Sequence, residues 1–137
     1  MTSPLASSAV PTESPKRRAL RLKVGRGLVF MGVAHVVAPK PFLGMIPKAL
    51  GNPRFWNLVA AAAEGTAGGL LLTKDPKLQR AGGALATATI VGVYPGNIKM
   101  AIDAGPPTNA KAIAAWLRLP FQFPMIKAAA SLARAES

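Results

Sequence analysis

The tightest constraint in this sequence is a pair of long apolar runs with no polar face. Residues 57–72 (NLVAAAAEGTAGGLLL) carry one charge, Glu64, and residues 82–98 (GGALATATIVGVYPGNI) carry none. A helix on the surface of a globular domain alternates apolar and polar residues at helical spacing. Neither run does so, which points to helices with apolar surroundings on every side. The charged fraction, 16%, falls below the ~25% of an ordinary soluble domain. A mean hydropathy of +0.30 is modest, and Glu64, Arg118 and Lys127 interrupt otherwise clean runs. Weighed together, these features predict an all-α, integral membrane four-helix bundle.

Four spans are expected. The first follows the basic block Lys16–Arg26; its purely apolar part, Gly27–Ala38, gives only roughly 18 Å of helix against a hydrocarbon core of about 30 Å. It reaches across only if the helix starts near Leu20 and Arg21, Lys23 and Arg26 snorkel to the headgroups. The second runs from about Phe55 to Thr73, the third from about Ala81 to Ile102 with a kink at Pro95, and the fourth from about Ala112 to Leu132. Between the first two, residues 39–53 (PKPFLGMIPKALGNP) hold four prolines, too many for one straight helix and too apolar for a solvated loop. An interfacial segment fits. Residues 1–15 are rich in Ser, Thr, Pro and Ala and read as a disordered tail ahead of a domain spanning 16–134.

The formal charge of +12 is distributed as punctuation between apolar segments. It forms no stripe with interleaved aromatics, so nucleic acid is not the expected partner. Of the seventeen Lys and Arg, Lys40, Lys48, Arg54, Lys99, Lys111 and Arg118 fall at one set of span ends and the other eleven at the opposite set. That bias predicts both termini on the cytoplasmic side of a multi-pass plasma-membrane protein. A basic block followed by a short apolar run also has the outline of a signal peptide, but Pro39 directly after Ala38 disfavours cleavage. Cysteine is absent, which excludes disulfides, thiolate metal sites and cysteine nucleophiles.

Two groups of residues inside the runs are candidates for special roles. Gly65, Gly68 and Gly69, then Gly82 and Gly83, would let helices approach closely, either within the bundle or against another protein. His35, Glu64, Asn97, Arg118 and Gln122 form a second group, an intramembrane polar network. Helical rise places Glu64 roughly 14 Å and Arg118 roughly 9 Å from one boundary, so all five fall in the same half of the bundle. Glu64 and Arg118 are the expected ion pair, because an isolated charge at that depth is costly. The network serves either structure or function. It contains no catalytic set, and one His with one Glu is too little for a metal site or for bis-His haem ligation. No metal and no catalytic residues are expected.

The series Gly32-x-x-His35 with Pro39 and Phe42, Ile46-Pro47, Trp56, Glu64-x-x-x-Gly68, Tyr94-Pro95-x-Asn97-Ile98 and Trp116-Leu117-Arg118-Leu119-Pro120-x-Gln122 resembles the DoxX-like membrane proteins over about residues 24–130. The resemblance implies a four-helix bundle with those polar residues facing inward. It implies function only loosely, since such proteins include quinone-linked respiratory and oxidative-stress subunits. Small size, the missing catalytic set and the Gly/Ala-rich spans favour a non-catalytic accessory subunit of a larger cytoplasmic-membrane complex, for instance one moving lipid or envelope substrates. Its partners would be membrane lipid and other membrane protein subunits, with no cofactor. The alternative is a redox subunit handling a quinone near Glu64, His35 and Arg118.

Overall fold

The computed structural model describes residues 12–136. The first eleven residues, which make up most of the expected tail, lie outside the described part. Four long helices carry the fold: α1 (Pro15–Val37), α3 (Pro53–Leu72), α4 (Pro76–Ala104) and α5 (Ala110–Leu132), with a short α2 (Lys40–Leu43) and a 3-10 turn (Lys48–Leu50) between the first two. Their starts are written in one local code. Ser14, Asn52 and Asp75 each accept a backbone N–H of the following turn, and each is followed by a proline, whose missing N–H costs nothing at a first helical position. Asn109 caps α5 in the same way. Gly105 ends α4 with φ at 76°, a conformation open to glycine. The prolines inside the helices, Pro95, Pro120 and Pro124, do not interrupt them.

The helices run antiparallel in the order α1, α3, α4, α5, each packed on the next, while α1 and α5 meet at little more than their ends. Backbone proximity holds the rows together. A methyl added to Gly68 would lie 2.6 Å from the Gly25 carbonyl oxygen, so α1 and α3 touch main chain to main chain. At Gly83 the added methyl would lie 2.5 Å from the backbone of Leu132, which fixes α4 against α5. Gly82 abuts Leu70 and Leu71 of α3. Of the five glycines expected to pack, Gly65 and Gly69 face open space. Gly25 and Gly32 complete the α1–α3 contact instead, with Gly32 directed at the Gly65 backbone. The core left between such close helices is thin: Leu28, Ala67, Leu71, Ala86, Ile90, Ala129 and Leu132.

The expected transmembrane bundle is overturned. Among the described residues no helix is long and apolar enough to cross a membrane. Multi-pass topology, plasma-membrane localisation and cytoplasmic termini go with it. Length is not the obstacle, since the four helices run from 20 to 29 residues. The apolar content is. It is dominated by Ala and Gly, which remove little surface from water, and charged or amide side chains interrupt every helix.

Of the basic residues expected to snorkel, Arg21 turns inward, and Arg17, earlier on the same helix, also bonds across the bundle. Arg21 is buried; it donates to the Leu71 carbonyl at 2.6 Å and forms a two-pronged pair with Glu13 at 2.7 and 2.8 Å. That pair holds the Glu13 carboxyl below its usual pKa and raises the pKa of Arg21. Arg17 donates to the carbonyls of Ser131, Leu132 and Arg134. Each guanidinium thus satisfies carbonyls left open at a helix C-terminus, where the helix dipole also favours a cation.

The glycine contacts make a direct prediction. Gly68→Ala should destabilise the fold by about 1–3 kcal/mol, because backbone cannot yield to the new methyl. Gly69→Ala, in open space on the same helix, should instead stabilise by about 0.5–1 kcal/mol through helix propensity. Chemical unfolding of the two variants checks the opposite signs.

Candidate functional site

The antiparallel pairing of α1 with α3 brings His35, near the end of α1, opposite Asn57 and Glu64 of α3. Asn57 and Glu64 are seven residues apart, two helical turns, and so lie on one face. All three are buried, with His35 at 7%, Asn57 at 4% and Glu64 at 8% exposure. Asn57 grips His35 at two points: its Nδ2 donates to the His35 carbonyl at 2.8 Å, and its Oδ1 lies 2.6 Å from the imidazole Nδ1. The other ring nitrogen, Nε2, lies 3.3 Å from Glu64 Oε2. The two atoms are within reach of a shared proton, and among the described residues Oε2 has no other hydrogen-bond partner. Phe42 of α2 lies against the imidazole with ring centroids 3.9 Å apart, closing the site from the bundle end.

Burial raises the Glu64 pKa above its ordinary value, partly offset by His35 and by the field of Arg118. Removing a carboxylate from water costs more than these two neighbours return. The expected Glu64–Arg118 ion pair is absent, since Arg118 is exposed and acts on Glu64 only through its field. His35 takes that place.

The remaining network residues are buried but not joined to this site by any hydrogen bond. Gln122 points its Nε2 at the Ile90 carbonyl, 3.5 Å away, and leaves its Oε1 without a partner. Asn97, at 2% exposure, leaves its Oδ1 without one. Among the described residues, no group of three or more His, Asp or Glu is placed to hold a metal. Asn57 is the one member of the site that sequence reasoning passed over. Its two-turn spacing from Glu64 was the available signal.

The pair stands beside a groove. Val29, Gly32, Val33, Val36 and Val37 of α1 and Leu58, Ala61, Ala62 and Gly65 of α3 line an open, apolar depression of about 530 Å³. Its floor of small residues comes from the close helix approach, and its walls from the branched side chains on either side. This groove belongs to a larger pattern. Twenty large apolar side chains are exposed among the described residues, including Phe30, Val37 and Phe121 at 65–76%, whereas four (Leu28, Leu71, Ile90 and Leu132) are buried.

The double grip on His35 should be costly to remove. Asn57→Leu, close in volume, leaves the Nδ1 side of the ring and a backbone carbonyl unpaired in the interior. The expected loss is about 2–4 kcal/mol, from two buried groups at about 1–3 kcal/mol each with partial relaxation. Equilibrium unfolding of this variant beside the exposed control Leu58→Ala measures it.

Residues 24–133 match the model of a family described as "Domain of unknown function (DUF8561)". No curated protein and no solved structure matches the chain.

Proposed function

We propose, for a chain that belongs to this family, the role of a non-catalytic accessory subunit that seats an apolar helix of a partner subunit in the α1–α3 groove. The observation that carries the reading is the inverted distribution of apolar bulk among the described residues, twenty large side chains exposed and four buried. Single exposed apolar residues are ordinary, but contiguous ones mark binding surfaces. Here Val33, Val36, Val37 and Leu58 are contiguous around one groove. Its Gly and Ala floor admits a helix backbone, and its branched walls fit between that helix's side chains, a recurring mode of helix-in-groove recognition.

A second reading, a quinone-linked redox subunit, has one observation on its side: a carboxyl and an imidazole meet beside an apolar groove. It requires Glu64→Gln to abolish quinone-dependent turnover in protein that still folds.

The accessory role is tested by a photo-crosslinker placed at Val37 in cells, with and without Ala62→Phe. Ala62 is exposed on the groove floor, so the phenyl ring fills the groove without entering the core. Stability should change by less than about 0.5 kcal/mol. The expected result is a crosslink to one heterologous chain that Ala62→Phe removes. A crosslink only to a second copy of this chain, or one that Ala62→Phe leaves intact, overturns the proposal, as does no crosslink at all.

A further inference from the structure

The geometry around His35 decides where its protons are. The His35 backbone carbonyl can only accept, so the Asn57 nitrogen must face it, 2.8 Å away. The amide oxygen of Asn57 is thereby turned toward the imidazole Nδ1, at 2.6 Å. Two lone pairs at that separation would repel, so Nδ1 carries a hydrogen and donates it. A neutral imidazole with its hydrogen on Nδ1 presents a bare lone pair at Nε2. That lone pair faces Glu64 Oε2 at 3.3 Å in a buried setting, and among the described residues Oε2 has no other partner. An ionised carboxylate opposite a lone pair is repulsive, and the low interior dielectric strengthens the repulsion. One proton between the two atoms removes it.

We propose that His35 and Glu64 form a proton-binding site that holds a single proton between Nε2 and Oε2, with Asn57 locking the imidazole in the orientation that the site requires. The proton resides either on the carboxyl, donated to Nε2, or on the ring, donated to the carboxylate. The total charge of the pair is zero in both forms, so the buried site avoids a net charge whichever atom holds it. The surrounding groups are consistent with this. Phe42 of α2 covers the imidazole and brings no charge. On α4, Lys99 is engaged by Asp103 and the Gly44 carbonyl. Among the described residues, Arg118 on α5 is the outside charge whose field acts on Glu64, favouring the ionised carboxylate and hence the ring-protonated form. The site stands whichever occupant the groove takes.

Proton counting gives the sign of the pH dependence. In the unfolded chain a glutamate releases its proton near the model value of 4.5, and a free imidazole releases its own near about 6.5. Between these values the unfolded chain and the folded pair each hold one proton, so stability is flat. A folded pair that binds its proton more tightly than a free imidazole keeps it above about 6.5, where the unfolded chain holds none. Folding then takes up a proton, and stability falls as pH rises. The folding equilibrium constant should drop by up to about tenfold per pH unit above pH ~6.5, until the folded pair itself loses the proton.

Two measurements on the full chain decide the matter. Nitrogen-15 NMR of the imidazole at neutral pH should show Nδ1 protonated and Nε2 sharing a proton. A ring with hydrogen on Nε2 and a bare Nδ1 overturns the proposal and needs no variant. Unfolding measured from pH 6 to 9 should give a steeper decline for the wild type than for Glu64→Gln, whose amide donates to Nε2 without titrating. Equal slopes overturn the proposal. Loss of the partner crosslink with these results intact would sink the accessory reading alone.

Discussion

The close approach of α1 to α3 sets the terms for the rest of the molecule. Gly25 on Gly68 and Gly32 on Gly65 bring two backbones into contact, and this fixes how far one helix can slide along the other. With that register set, Arg21 meets the Leu71 carbonyl in the last turn of α3 at one end and His35 meets Asn57 at the other. The seam is therefore held at three levels: a polar latch at each end and main-chain contact between them. A bulkier residue in the middle would separate the helices and loosen both latches together.

Packing this tight leaves no room for large side chains between the helices. The core is mostly alanine with a few leucines and one isoleucine, so dispersion between closely spaced backbones must stand in for the usual burial of aliphatic bulk. Phenylalanine, tryptophan, valine and leucine are displaced to the outside. The outer apolar surface and the inner glycine contacts are thus two results of one cause. The same cause places the groove beside His35 and Glu64, because its floor is the seam seen from outside.

Helix limits were legible in part: α3 and α5 fall within two residues of the expected bounds, whereas α1 and α4 begin five residues before the expected Leu20 and Ala81, at Pro15 and Pro76. The wish of glycines to pack was legible too, but not which face of each helix would be inward; hence a side chain at Gly69 or Gly65 would meet open space, while Gly25 and Gly32 join the expected Gly68, Gly82 and Gly83 in the close contacts. The transmembrane expectation failed for a related reason. A helix without a polar face need not lie in lipid, because side chains as small as Ala and Gly bury little apolar surface. The Glu64–Arg118 pairing failed because depth along a helix axis says nothing about direction around it.

The sequence alone determined the four long helices and their caps, the absence of cysteine chemistry, and the presence of a few polar groups in apolar surroundings. These follow from propensity, local hydrogen bonding and composition, which need no partner in space. Only the tertiary structure decided that His35 faces Glu64, that Asn57 holds the ring from its other side, and that Arg17 and Arg21 close the ends of α5 and α3. Such pairings depend on the rotation and register of one helix against another, which arise where glycine allows two backbones to touch.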